Sequence, residues 1–123
     1  MTNGPRLRSG VLAAKERLIE DRDALWQRHA EGASGVEVCA ALADLLDAVV
    51  LDLFDAALAD LGEDGPGGLR SEVALVPHGG YGRRDVAPYS DVDLMILHAP
   101  AAAARVAPLA QRMLQDLFDA GLM

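Results

Sequence analysis

The stretch GGYGRRDVAPYSDVDLMIL, residues 79–97, decides the fold of this 123-residue chain. It opens with four residues rich in glycine, 79–82, which predict a tight turn. It closes with residues 92–97, whose alternating apolar positions predict a strand. The short apolar run just before the turn, residues 73–76, is bounded by turn-forming residues and predicts a buried strand. Strand, glycine turn and strand together indicate part of a sheet.

Helical periodicity dominates the chain before this stretch. Residues 11–30 carry apolar side chains that repeat at seven, and Trp26 belongs to that stripe, so we expect it in the core. A second helix begins at Ser34, which forms the S-x-x-E spacing of a capping box with Glu37, and it runs to about Leu61. The pattern predicts an N-terminal pair of amphipathic helices.

The remaining segments complete the predicted architecture. Residues 62–68 read Gly-Glu-Asp-Gly-Pro-Gly-Gly, which is typical of a loop. Residues 101–120 are helical in pattern, and Pro108 among them implies a late helix start or a kink. We predict an α/β (α+β) chain, with a helical pair followed by the first half of a sheet with flanking helices. The predicted segments are a disordered lead (1–10), the helical region (11–61), a loop (62–71) and the part containing the sheet (72–123).

Composition excludes several classes of protein. Asp and Glu outnumber Lys and Arg by 19 to 11, for a net charge of -8, which argues against a nucleic-acid binder. A single cysteine cannot form an internal disulfide, so a secreted disulfide scaffold is excluded. Charged residues interrupt every long apolar stretch, so no membrane span is expected. Because no signal peptide is evident at the N-terminus, we expect a cytoplasmic protein.

Two aspartates carry the chemistry that the sequence suggests. Asp91 and Asp93 stand two residues apart at the start of the second strand, where alternate side chains point to the same face and Val92 points to the core. Two nearby carboxylates repel each other unless a cation lies between them. Mg²⁺, which prefers carboxylate and phosphate oxygens, suits such a pair. An Asp-x-Asp on a surface strand is otherwise often only solvated.

The glycine turn suggests a partner for that metal. Gly79 and Gly80 follow a strand, where glycine lets backbone N–H groups approach a phosphate closely, and a helix N-terminus there would add a favourable dipole. Arg83 and Arg84 come next and are placed to balance phosphate charge. We expect Tyr81 to pack the turn. Together these residues predict a site for a nucleoside triphosphate and its metal ions.

This order of residues resembles the signature of the DNA polymerase β-like nucleotidyltransferase superfamily. The string from 79 to 97 is similar in particular to the protein-PII uridylyltransferase family, whose N-terminal part it matches. The resemblance implies Mg²⁺-dependent transfer of UMP from UTP to a tyrosine of the nitrogen-regulation protein PII. Ser90 lies within the motif, and its expected role is local, a bond to the backbone near Asp91. The candidate catalytic residues and metal ligands are Asp91 and Asp93, and the candidate nucleotide-binding residues are Gly79, Gly80, Arg83 and Ser90.

The chain also departs from the pattern of that family. His78 occupies a position that is usually small or apolar, and Arg84 and Asp85 stand where the family commonly has Gly and Glu. The superfamily uses a third carboxylate on a later strand, whereas Asp116 and Asp119 lie in the last predicted helix. We therefore expect this chain to be a fragment that is incomplete and inactive alone.

Two alternative functions remain open. One is an adenylyltransferase that uses ATP to modify a protein. The other is a truncated, non-catalytic interaction module that binds a basic partner through the acidic face of the second helix. That face, which we call the acidic stripe, reads most simply as a solvated surface. It consists of Asp44, Asp47, Asp52 and Asp55.

Overall fold

The computed structural model describes residues 7–87 and 91–123. Its main elements, in chain order, are α1 (Ser9–Ala30), α2 (Gly35–Asp60), β1 (Val73–Pro77), α3 (Gly79–Gly82), β2 (Leu94–His98) and α4 (Ala103–Asp119). Short 3₁₀ helices, Leu69–Ser71 and Pro100–Ala102, precede β1 and α4. The α+β class, with a helical pair followed by part of a sheet with flanking helices, is confirmed. No helix within the described ranges is long and apolar enough to cross a membrane.

The N-terminal helices form a hairpin, and α2 is its more buried member. The Ser34 side chain accepts a hydrogen bond from the backbone N–H of Glu37 at 3.1 Å, as the capping spacing predicts. Buried apolar residues then follow along α2 from Leu42 to Leu58. Helix α2 packs against both α1 and α4, and these two helices also contact each other. It is therefore the element around which the core is built.

The buried stripe of α1 is narrower than its sequence pattern suggests. The residues of α1 that are buried are Val11, Ala14, Leu18 and Leu25. Trp26 is 43% exposed, so its predicted place in the core is wrong. Successive helical residues differ by about 100° around the axis, and Trp26 therefore lies at the margin of the stripe to which Leu25 belongs. Its ring instead lies 6.2 Å from that of His29.

The sheet has two antiparallel strands within the described residues. The register pairs Val73 with His98 and Pro77 with Leu94. The strand predicted at residues 73–76 is present, but the prediction that it is buried is wrong, because Ala74 is exposed and Val73, Leu75 and Val76 are half-buried. Helix α4 continues through Pro108, and its buried apolar residues are Val106, Leu109, Met113 and Leu117.

An ion-pair network fixes α4 to the rest of the chain. Asp116 is fully buried and accepts hydrogen bonds from Arg8 at 2.8 Å and from Arg112 at 2.7 Å. Arg112 also donates to Asp60 at the end of α2, at 2.7 Å. Because a buried carboxylate is strongly disfavoured unless it is paired, this network accounts for the burial of Asp116.

Arg105 performs a similar role for the loop that leads into β1. It donates to Glu63 at 2.6 Å, to Glu72 at 2.7 Å and to the carbonyl of Gly67 at 2.8 Å. The hydrogen bond from Arg105 holds the pKa of Glu63 below its ordinary value. One guanidinium of α4 thus fastens both ends of the loop, and this fixes where β1 begins.

Candidate functional site

The glycine turn and the aspartate segment are direct neighbours. The backbone N–H of His78 donates to the carbonyl of Asp93 at 2.8 Å, which continues the ladder one step beyond the pairing of Pro77 with Leu94. Gly79 adopts a positive φ of 54°, and a Cβ built there would lie 2.9 Å from Oδ2 of Asp93. The Asp93 carboxylate therefore lies against the backbone of Gly79. The structure brings together the two halves of the predicted site.

Close backbone packing explains the other glycines of the turn. A Cβ on Gly80 would lie 2.8 Å from the carbonyl oxygen of Asp85, and one on Gly82 would lie 2.8 Å from that of Pro77. The N–H of Gly82 donates to His78 at 2.7 Å, and the N–H of Asp85 donates to Gly80 at 2.8 Å. The turn is thus a tightly hydrogen-bonded unit that larger residues would disrupt.

The predicted contribution of a helix dipole at the turn is wrong. Helix α3 contains only four residues, Gly79–Gly82. A macrodipole arises from many aligned peptide units, and one turn supplies few of them. What the turn offers an anion is therefore close approach to its backbone, with little contribution from the one-turn helix α3.

The two aspartates lie directly before β2, one step earlier than the sequence predicts. Both side chains are exposed, whereas Val92 between them is 3% exposed, in agreement with the expected alternation. The backbone N–H of Val92 donates to the carbonyl of Leu122 at 2.9 Å. The aspartate segment is thus held by His78 through Asp93 and by Leu122 through Val92.

The residues present fit Mg²⁺ as part of a shared ligand set. Protein sites for Mg²⁺ commonly supply one or two carboxylates, with water and substrate phosphates completing the octahedron. Asp91 and Asp93 offer two exposed carboxylates beside the turn. Across residues 7–87 and 91–123, no group of three or more His, Cys, Asp or Glu is arranged to hold a metal ion by itself. The buried, paired Asp116 is unsuited as a ligand, and Asp119 accepts from Gln115 at 2.8 Å. The chemistry of the pair therefore suits a metal brought in with a phosphate.

The two arginines that follow the turn differ in their surroundings. Arg83 is exposed. Arg84, expected beside phosphate, instead reaches α2, where it donates to Asp47 at 2.9 Å and also to Asp44. The bond to Asp47 is the main reason that the pKa of Arg84 is raised. Ser90 lies outside the described residues.

Tyr81 packs the turn, as predicted, and shares a partner with Arg84. Its side chain is 4% exposed, and its hydroxyl donates to Asp47 at 2.7 Å. Burial, and then the bond to Asp47, raise the pKa of Tyr81 well above its ordinary value. Asp47 is the residue near the site that sequence reasoning did not single out. Its one sequence signal was membership of the acidic stripe.

Asp44, Asp52 and Asp55 of the acidic stripe are exposed, as expected for a solvated face, whereas Asp47 is half-buried. The carboxylates of all four have partners within the chain. Asp52 lies 3.5 Å from Arg17, and Asp55 lies 2.7 Å from Arg70. The pairing of Asp44 and Asp47 with Arg84 completes the set. Because arginines of this chain already neutralise part of the charge, the stripe is a weaker attractor for a basic partner than its sequence suggests.

Comparison with known proteins supports the chemistry suggested by this geometry. A family described as "Putative nucleotidyltransferase DUF294" matches residues 20–123. Three similar proteins are bifunctional uridylyltransferase/uridylyl-removing enzymes. That of Erythrobacter litoralis is 33% identical over 96% of this chain, that of Streptomyces coelicolor is 35% identical over 92%, and that of Burkholderia lata is 46% identical over 45%. The chain spans only 13%, 11% and 6% of the length of these relatives. No solved structure matches the chain.

Proposed function

The chain belongs to the DUF294 nucleotidyltransferase family, and from that premise we propose that it forms the nucleotide- and metal-binding part of a uridylyltransferase. The proposed reaction transfers UMP from UTP to a tyrosine of a regulatory protein of the PII type. In that reaction the acceptor hydroxyl loses its proton to solvent and its oxygen bonds to the α-phosphorus, while the bond from the α-phosphorus to the bridging oxygen breaks and pyrophosphate departs with that electron pair. The similarity to uridylyltransferase/uridylyl-removing enzymes supports this choice of donor over ATP.

One observation carries the proposal, namely the contact between the Asp93 carboxylate and the backbone of Gly79. It supports a phosphate site at this backbone with a carboxylate beside it. Asp91 and Asp93 would hold Mg²⁺, which when bound neutralises the triphosphate and lowers the pKa of the acceptor hydroxyl. Gly79 and Gly80 would accommodate the triphosphate, and exposed Arg83 would balance its charge.

Calorimetric titration of this chain with UTP, and then with ATP, tests the proposal. Each nucleotide is titrated with and without Mg²⁺. We expect UTP to bind in a Mg²⁺-dependent manner and more tightly than ATP. Preference for ATP would point instead to an adenylyltransferase. Nucleotide binding that is equally tight with and without Mg²⁺, or no binding at all, would contradict the proposed site and would favour a non-catalytic interaction module.

Variants locate the binding to the aspartate pair. Asp91→Asn combined with Asp93→Asn should abolish Mg²⁺-dependent binding, while the fold survives because both side chains are exposed. Asp64→Asn, an exposed loop substitution with the same change of charge per site, is the matched control and should bind UTP as the wild type does. Retention of binding by the double variant would show that the metal ligands lie elsewhere.

A further inference from the structure

A single carboxylate on α2 holds the glycine turn at two points. Oδ1 of Asp47 accepts from the hydroxyl of Tyr81 at 2.7 Å, and Oδ2 accepts from the guanidinium of Arg84 at 2.9 Å. Tyr81 lies inside the turn and Arg84 lies just after it, so the two contacts span its C-terminal half. Asp44, three residues earlier on α2, also accepts from Arg84.

The backbone at Arg84 has an unusual conformation. Among residues 7–87 and 91–123, Arg84 is the only non-glycine residue with a positive φ, at 59°. L-residues rarely adopt this left-handed conformation, and they persist there only when their surroundings impose it. Backbone hydrogen bonds from Arg84 to Tyr81 at 3.0 Å and from Asp85 to Gly80 at 2.8 Å close the chain around this conformation, and the two carboxylates of α2 that receive the guanidinium add to them.

The carboxylate of Asp47 is also rigidly held. Asp47 lies on α2 between Leu46 and Val49, which are both buried in the core. Tyr81 is itself buried, so its hydroxyl has little room to find another partner. A movement of the turn would therefore have to break both contacts to Asp47 together.

We propose that Asp47 is a positioning residue for nucleotide binding, which holds the glycine turn and the residues after it, as far as Asp85, in the conformation that receives the phosphates. The inference rests on the proposed function of the turn. Asp47 touches neither nucleotide nor metal in this role, and it acts through Tyr81 and Arg84. The N-terminal helical hairpin thereby becomes part of the binding apparatus.

Titration of the chain with UTP in the presence of Mg²⁺ tests this role. Asp47→Ala removes both contacts and should weaken UTP binding on the order of tenfold, because small misplacements of binding groups have large effects. Asp47→Asn keeps an oxygen that can accept from Tyr81 and should lose less. The matched control is Asp55→Ala, on the same helix face, which removes the 2.7 Å ion pair with Arg70 and should bind as the wild type does.

The direction in which Asp47→Ala changes the affinity for UTP distinguishes the positioning role from a competing one. If α2 merely sequesters Arg84 from the phosphates, Asp47→Ala will release the guanidinium and tighten UTP binding. Tighter or unchanged binding would overturn the proposal.

Amide hydrogen exchange gives a second readout that needs no nucleotide. The backbone N–H groups of residues 82–85 all donate hydrogen bonds to backbone carbonyls of residues 78–81. They should exchange faster in Asp47→Ala than in the wild type, and Asp55→Ala should leave them unchanged. Unchanged exchange in Asp47→Ala would overturn the positioning role. If the wild-type chain binds no UTP, the proposed function fails, and the exchange rates alone decide whether Asp47 holds the turn.

Discussion

Replacement of Gly79 by alanine separates backbone strain from disturbance of the site. Alanine at a φ of 54° is held in the left-handed region, which costs about 1–2 kcal/mol of the free energy of unfolding. The new methyl group would also lie 2.9 Å from Oδ2 of Asp93, so the carboxylate must retreat by about 0.5 Å to reach ordinary van der Waals contact at 3.4 Å. The substitution therefore strains the turn and displaces a proposed metal ligand.

The expected functional loss follows from that displacement. A misplacement of about 1 Å reduces the efficiency of a positioned group about 100-fold, so half of that distance predicts roughly a tenfold weaker Mg²⁺-dependent binding of UTP. Gly62→Ala is the matched control, because Gly62 has a φ of 72° and a Cβ there meets nothing within 4 Å. It shares the strain but has no contact with the site.

Urea unfolding and UTP titration on both variants complete the experiment. Both should lose about 1–2 kcal/mol of stability, and only Gly79→Ala should lose affinity. Equal affinity of the two variants for UTP would refute the reasoning, because the position of the Asp93 carboxylate would then have no effect on binding. A loss of affinity in Gly62→Ala would equally refute it, since strain far from the site would then suffice.

Three further predictions test other parts of the structure. Asp116→Ala removes the buried carboxylate that pairs with Arg8 and Arg112. It should lower the free energy of unfolding, measured in urea, by about 3–5 kcal/mol. Asp119 is only half-buried, and Asp119→Ala should change that free energy far less. Arg84→Ala and Arg84→Gly both remove the guanidinium, but only alanine keeps the strain of the left-handed conformation. Arg84→Gly should therefore be more stable than Arg84→Ala by about 1 kcal/mol in the same measurement, and equal stabilities would show that residue 84 is not strained. Because burial and Asp47 raise the pKa of Tyr81 above its ordinary 10.0, the stability it contributes is present below pH 10 and is lost as the pH rises beyond it. Wild-type stability should therefore fall more steeply above pH 10 than that of Tyr81→Phe, and identical profiles would contradict the shift.

Local patterns in the sequence predict much of this fold and the core of the site. The capping pair Ser34 and Glu37 and the alternation around Val92 each depend on residues a few positions apart. Such short spacings map directly onto helix and strand geometry. The juxtaposition of Gly79 with Asp93 also follows, since a turn between paired strands brings its flanking residues together.

Side-chain partners distant in sequence are not predictable in the same way. Arg84 looks like a phosphate ligand because of its position beside the glycines, yet it pairs with Asp47, 37 residues earlier. Asp116 reads as one more polar position of a helix, yet it pairs with Arg8, 108 residues away. These contacts depend on how whole helices pack, and periodicity within one helix carries no information about that packing. Trp26 is misplaced for a related reason, because the width of a buried stripe is set by the neighbouring helix.

The hydrogen bond from Val92 to Leu122 has a consequence for the order of events on the ribosome. Helices α1 and α2 are adjacent in sequence and can pack once residue 60 has emerged. The aspartate segment, in contrast, is bounded by His78 and by Leu122, so its geometry is complete only after residue 122 has been made. Because synthesis and folding proceed from the N-terminus, we expect the N-terminal helical hairpin to form first in the nascent chain. The aspartate segment should reach its final geometry afterwards.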